Sequence, residues 1–377
     1  MKKTLCIVLA LVLSFALFAA CGGNSGNTAA PPPPAAAPTQ SQPSNSGTQP
    51  PPAAAEGWDF SDATKVNLAF ALYMPEGDPT VIAACNFLET IKEYTEGTVD
   101  YTLHASATLC AADEQLDAVK SGLADIAMNA SAYFAGSLPL TYMLEYPGVQ
   151  YANDRATAFA MNEWHQTLKL AELEDFYLLY GYGQGSGALH TTVPIRTVED
   201  FKGVQMRTSA ALIPVLEAYG FIPTALSMGE VYEAMRTGVV QGATAMIPAA
   251  FTFNLFEVQK YCTIDPFYVS SYVMTLNKDV WNSLTPDQQE AVKAATEFGF
   301  AEYIASGRQG EVPECLAFFE EKGVEVIYMS DEEIAKMGAL NAPLQSNYAA
   351  SVPGGTEALA LLRELAAKYN AIYPEYF

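Results

Sequence analysis

Three histidines, His104, His165 and His190, are scattered along the chain without an H-E-x-x-H or any paired spacing, so the pattern of a zinc hydrolase is absent. None of the six cysteines forms a C-x-x-C pair, which removes the usual thiolate metal site and the dithiol redox motif. Gly183-Gln184-Gly185-Ser186-Gly187-Ala188 spells the loose dinucleotide fingerprint G-x-G-x-x-[GA]. That fingerprint needs a strand before it and a helix after it. The next segment, Leu189–Ile195, reads as β and contains a proline, so nucleotide binding is rejected. The same glycines flank Ser186 directly and do not build a G-x-S-x-G nucleophile elbow. No nucleophile, base and orienting group come together, and neither catalysis nor a cofactor is expected. What remains is Arg207. A guanidinium donates two parallel hydrogen bonds to a carboxylate and never loses its charge.

The elements around Arg207 decide what it can reach. Val204–Met206 is strand-like and delivers the arginine at its end. Ser209 is placed to cap an apolar helix ending near Gly220, with Leu212, Val215, Leu216 and Tyr219 at helical spacing. A second helix, Gly229–Thr237, carries Val231, Ala234 and Met235 on one face; Gly238 stops it, and Val239–Ala243 reads as a buried strand. Strand, helix, strand is a βαβ unit, and open α/β sheets bind ligands beyond the carboxyl ends of their strands. Arg207 is therefore expected where a small anion docks. Tyr73, Tyr133, Phe134, Tyr182, Phe267 and Tyr268 also fall near predicted strand ends; Tyr133 and Tyr182 lie directly at the carboxyl ends of theirs and are preferred as cleft residues.

The rest of the chain alternates in the same way. Val66–Leu72, Val99–Leu103, Ala124–Asn129 and Phe176–Tyr182 read as strands, with helices over Thr80–Tyr94 and Ala111–Ser121. Gly183–Gly187 is expected to be a flexible exit from a first lobe, and Tyr272–Leu276 the strand that returns to it. Thr285-Pro286-x-Gln288 starts a long helix with a capping box, running to about Phe319 with a break near Pro313. Val324–Tyr328 reads as a strand and Thr356–Tyr369 as a closing helix.

The amino end has a different character. Lys2-Lys3, an apolar run from Leu5 to Leu17 and small residues before Cys21 read as a secretion signal with a lipoprotein cleavage site. The run is shorter than the roughly 20 residues a permanent membrane helix needs. Residues 22–55 carry no charge and are dominated by Pro, Ala, Ser, Gly, Gln and Asn, the composition of a tether. Such a tether spans roughly 30 to 100 Å. Acylated Cys21 would thus hold a domain at the outer face of the cytoplasmic membrane. The formal charge of −23 argues against nucleic acid and against adhesion to anionic headgroups. Cys85, Cys110, Cys262 and Cys315 are expected as mostly free, buried thiols. About 320 residues after the tether suffice for two α/β lobes. The expected division is a signal over 1–21, a tether over 22–55, lobe I from 56–184 with 272–312, and lobe II from 185–271 with 313–377.

A set of dispersed motifs resembles one family. Phe201-Lys202-Gly203, Met206-Arg207, Gly220-x-x-Pro223, Glu230-Val231-Tyr232-x-Ala234-Met235-x-x-Gly238-Val239-Val240-x-Gly242 and Phe256-Glu257-Val258-Gln259-Lys260-Tyr261 occur in one order over about 60 residues. They resemble the extracytoplasmic solute-binding subunits of TRAP transporters, the DctP type, and the likeness runs from about Val66 to Ala367. It implies a two-lobed periplasmic-binding-protein-like α/β fold with a hinge and a long helix spanning both lobes. It also implies capture of a small organic acid and its delivery to TRAP membrane subunits, and the protein is expected to be a monomer. Arg207 matches the family's carboxylate anchor. Other positions depart: Ala188 stands where a second arginine often lies, Met228 where a phenylalanine lies, and Ala245 where an asparagine lies, while Gln241 and Thr244 replace acidic residues. These departures lead us to expect an apolar or aromatic monocarboxylate, with Tyr73 and Phe267 joining Arg207, Tyr182, Tyr133, Met228 and Ala245 at the ligand.

Overall fold

Strands and helices alternate along nearly the whole chain, and the strands collect into two separate sheets. The computed structural model describes residues 57–185, 187–305 and 311–374; the expected signal, Cys21 and the tether lie outside them. All described residues belong to one compact unit.

The chain opens with β1 (Val66–Ala71), α1 (Pro79–Tyr94), β2 (Val99–His104), α2 (Gln115–Ser121) and β3 (Ile126–Ala130). After α3 (Pro139–Tyr142) and α4 (Asp154–Leu168) it forms β4 (Phe176–Gln184), then enters the second sheet at β5 (Gly187–Thr191). Next come β6 (Gln205–Thr208), α5 (Ile213–Tyr219), β7 (Ile222–Ala225), α6 (Val231–Arg236), β8 (Gly242–Met246), α7 (Ile247–Thr252) and β9 (Tyr261–Ile264). β10 (Ser270–Asn277) returns to the first sheet. The chain ends with α8 (Lys278–Ser283), α9 (Pro286–Gly299), α10 (Glu311–Glu321), β11 (Glu325–Tyr328), α11 (Asp331–Ser351) and α12 (Gly355–Ile372).

The first sheet has the order β2-β1-β3-β10-β4, with β1 parallel to β2 and β3 and β10 antiparallel to both neighbours. The second has the order β11-β9-β5-β8-β6-β7, with β6 parallel to both β7 and β8. Each sheet carries its own apolar core, so the molecule is two α/β lobes joined by the strand crossings.

Several boundaries differ from expectation for local reasons. β8 begins at Gly242, not Val239: Val239 is 58% exposed because Gly238, at φ +76°, turns the chain out of α6 before pairing resumes. β7 lacks an apolar run because it is an edge strand with half-exposed residues. α2 starts four residues late because the Glu114 carboxylate accepts from the Ala111 N–H and ties 111–114 into a turn. α4 and α11 have no counterpart among the expected elements. The expected capping box at Thr285 and Gln288 is present. α9 gives way to a π turn over Phe300–Ile304, and Pro313 lies within α10, which is described from Glu311.

The glycines around the first crossing are packed, not loose. A Cβ on Gly181 would collide with the His165 ring, and one on Gly183 would collide with Met161 Sδ. They let α4 seat directly on β4. Helices join the two lobes as well. α9 packs in the first core and α10 in the second. α12 packs on α4, where the Trp164 indole N–H donates to the Ala358 carbonyl at 2.7 Å. Among the described cysteines Cys85, half-buried, and Cys110 and Cys262, both buried, are free thiols, and Cys315 is buried.

Candidate functional site

Arg207 lies in β6, next to the last residue of that strand, with β7 on one side and β8 on the other. It is 5% exposed. Its Nε donates to the Leu226 carbonyl at 2.9 Å and Nη1 to the Thr244 carbonyl at 3.2 Å. Both acceptors are neutral. Among the described residues no carboxylate pairs with it, and Nη2 has no hydrogen-bond partner. The guanidinium is therefore fixed in direction by two backbone groups while its charge stays unpaired, which is the condition for receiving an anion.

A cleft of about 70 Å³ opens in front of it. That is room for roughly five waters, the displacement of a small organic acid. The second lobe supplies Arg207, Ser209, Met228, Thr244, Ala245, Met246, Ala249 and Phe253; the first supplies Tyr73, Met74, Asp78, Thr80, Ala130, Ala132, Tyr133, Gln184, Ser270 and Tyr272. Tyr268, on the return crossing, completes the wall.

Of the seven residues expected at the ligand, five meet here, Arg207, Tyr133, Met228, Ala245 and Tyr73, and Tyr268, named with the other strand-end aromatics, joins them while Phe134 does not. Tyr182 and Phe267 do not line the cleft. Tyr182 is 1% exposed and stacks on Tyr272, ring centroids 5.0 Å apart, so it backs the wall. Phe267 is turned away, because Asp265 Oδ1 accepts its N–H in a tight turn, and its ring packs toward Gly338 of α11. Ala188 pairs with Ala245 inside the sheet, fully buried behind the surface.

The wall is more polar than the departures at Ala188, Met228 and Ala245 imply. Asp78, Thr80, Gln184, Ser209, Thr244 and Ser270 join four tyrosines, Tyr73, Tyr133, Tyr268 and Tyr272. Ser209 does not cap its helix; its buried hydroxyl has no hydrogen-bond partner. Asp78 is a cleft residue that sequence reasoning missed; it caps α1 ahead of Pro79, and its pattern carries no sign of the cleft. Tyr73 and Tyr133 meet edge to face at 5.9 Å. Burial first, then the neighbouring Tyr272, Tyr133 and Asp78, push the Tyr73 phenol well above its ordinary range. Burial does the same at Tyr268. These hydroxyls stay neutral and can both donate and accept.

A second cavity of about 20 Å³ lies behind the first and shares Thr244 and Tyr268 with it. Glu145 faces it, with Oε1 accepting from the Ser131 hydroxyl at 2.8 Å and the Ser271 N–H at 2.9 Å, while Oε2 has no partner. Burial pushes Glu145 up to about 7 despite those hydrogen bonds, and pushes Asp265, on the same cavity, up to about 6. His165 and His190 are buried and pushed down to about 4 by desolvation. Each is held by one hydrogen bond through Nδ1, to the Met161 carbonyl and to Gln259 Oε1 respectively. They are neutral core histidines. Among the described residues no group of acidic, histidine and cysteine side chains could hold a metal ion.

Comparison with known proteins returns a consistent set. The model of the DctP family, bacterial extracellular solute-binding protein family 7, matches residues 70–351. The chain is 26% identical over 313 residues to the 2,3-diketo-L-gulonate-binding periplasmic protein YiaO of Escherichia coli K12, covering 79% of this chain and 92% of that one. It is 23% identical to the C4-dicarboxylate-binding periplasmic protein DctP of Rhodobacter capsulatus, over 81% of this chain and 92% of that one. Among solved structures it is similar to a TRAP solute-binding protein from Rhodoferax ferrireducens in complex with copurified benzoate. That match has a TM-score of 0.75 at 21% identity, over 82% of this chain and 100% of that one.

Proposed function

The chain belongs to the DctP family of bacterial extracellular solute-binding proteins, family 7, and from that premise we propose that it captures a small organic acid through Arg207 and delivers it to TRAP membrane subunits. The observation that carries the ligand class is the buried Arg207 guanidinium at the cleft, held by two carbonyls and left without an anionic partner. Relatives are named for a sugar acid and a dicarboxylate, and a structural neighbour holds benzoate. Their ligands share a carboxylate and differ in the body. Here a single described cation on the cleft wall favours one carboxylate on the ligand, and Met228, Ala245, Met246 and Phe253 offer apolar contacts to its body.

Binding and release, without catalysis, is the whole of the proposed activity. The lobes are assigned as 56–184 with 272–312 and 185–271 with 313–351; the packing of α12 on α4 supports moving the last helix from the second lobe to the first. The protein acts as a monomer, anchored by lipid at Cys21 on the outer face of the cytoplasmic membrane, with residues 22–55 as its tether.

Native mass spectrometry of protein purified from cells tests the reading. The expected result is a bound small acid that is absent from Arg207→Ala. A retained ligand without an acidic group would overturn it.

A further inference from the structure

Asp78 stands on the first-lobe wall of the cleft, facing the lobe that carries Arg207. It is 3% exposed. Its Oδ1 accepts from the Thr80 N–H at 2.7 Å, the N-cap bond of α1. Among the described residues its carboxylate makes no other hydrogen bond and no ion pair; Oδ2 is unpartnered. Arg207 and Asp78 do not pair with each other. The cleft thus holds one cation on one lobe and one anion on the other, each short of a partner.

Oδ2 makes no bond within the protein and is not sealed from solvent, so it stays available to a donor that enters the cleft. The N-cap role accounts for one oxygen and for the residue type, since Asp, Asn and Ser cap about equally well. It does not account for a charged side chain placed on the wall of a small-molecule cleft. Thr80 and the Gln184 amide, 3.5 Å apart, lie on the same wall and add neutral polar groups beside it.

We propose that the ligand is dipolar: a carboxylate at the Arg207 end and a protonated amine or a hydroxyl at the other, received by Asp78. The inference rests on Arg207 holding the carboxylate, and it adds the group at the far end. Asp78 is the specificity-determining residue. It rewards a donor, leaves a methyl or bare ring edge without a bond, and repels a second carboxylate. Four-carbon and aromatic dicarboxylates are excluded by this charge more than by the loss of a second arginine.

Two matched sets of acids test it by calorimetry: butyrate, 4-hydroxybutyrate, 4-aminobutyrate and succinate, and benzoate, 3-hydroxybenzoate, 3-(aminomethyl)benzoate and isophthalate. In at least one set the amine is expected to bind about tenfold or more tighter than the parent acid, the hydroxyl to fall between, and the diacid to bind weakest. Asp78→Asn keeps the cap, and Asp78→Ser serves as a second cap-competent neutral variant. Both should erase the advantage of the amine and bring the diacid level with the parent. The same ranking in wild type and both variants, or no preference for a donor in the wild type, overturns the role of Asp78 while leaving the carboxylate site in place. Failure of every acid to bind overturns the carboxylate reading, and this inference with it.

Discussion

Gly187 and Tyr268 are packed so closely that a Cβ on residue 187 would lie 2.5 Å from the Tyr268 carbonyl oxygen and would also run into its ring. Gly187 begins the strand that enters the second sheet, and Tyr268 lies on the segment that returns to the first. The two crossings between lobes are therefore pressed against each other, and the ring that presses also lines the cleft. Gly187→Ala should cost about 1–3 kcal/mol of stability through overpacking. It should also weaken ligand binding, because Tyr268 must move. Urea unfolding and calorimetry measure both; a variant unchanged in each would show that the crossings have slack.

Arg207→Ala should weaken binding of the natural acid by about 3–5 kcal/mol, since the ligand carboxylate is left buried and unpaired. That corresponds to roughly two to three and a half decades in dissociation constant. Arg207→Lys should recover little, because an ammonium lacks the planar fork and cannot reach the Leu226 and Thr244 carbonyls while also holding a carboxylate. Wild-type affinity in either variant removes Arg207 from the site.

Glu145 gives a pH dependence with a definite sign. Its carboxyl is pushed from an ordinary 4.5 up to about 7 in the folded protein, so folding favours the protonated form. Its contribution is fully present below the unfolded value and is lost as pH rises through about 7, on the order of 3 kcal/mol. Asp265 acts in the same direction, while the buried His165 and His190, pushed down to about 4, lower stability as pH falls below 6.5. Comparing Glu145→Gln with wild type cancels the other groups. The variant should gain on the wild type from about pH 5 to about pH 7 and then hold a level advantage in thermal melts without ligand. Parallel profiles would remove Glu145 from the linkage.

Cys21→Ser should release the protein from the membrane fraction without changing ligand affinity, because the 34 residues of the tether separate the acylation site from the fold. Fractionation and calorimetry on the released protein check the two halves of the claim. Wild-type protein found wholly in the culture supernatant would contradict it.

Much of this is legible because the sequence states it locally. Apolar spacing marks α1, the Thr285 capping box marks α9, and an arginine near the end of a strand in a βαβ unit marks the residue that faces the cleft. What escapes depends on contacts distant in sequence. α11 has little amphipathic pattern, since it packs against both lobes and presents apolar residues to different neighbours along its length. Tyr182 and Tyr272 are adjacent tyrosines on paired strands, and only packing decides which one faces the cleft. Asp78 goes unread, because a cap residue of α1 becomes a cleft residue only through the folding of the second lobe over it. Gly183, Gly185 and Gly187 read as a flexible exit, and a Cβ on any of them would meet a neighbour within 2.9 Å.

α11 has a mechanical consequence. Near its middle Asn341 is hydrogen-bonded to Tyr219 of the second lobe, and one turn later the Gln345 amide donates to the Tyr146 carbonyl of the first. Pro343 stands between them, inside the helix. A proline there removes one rung of the backbone ladder, the bond that would run to the Ala339 carbonyl. A single helix is clamped to both bodies and weakened at the point where it passes from one to the other. That is the construction of a flexure, a bar thinned where it must bend. Any change in the angle between the lobes would load α11 as well as the strand crossings.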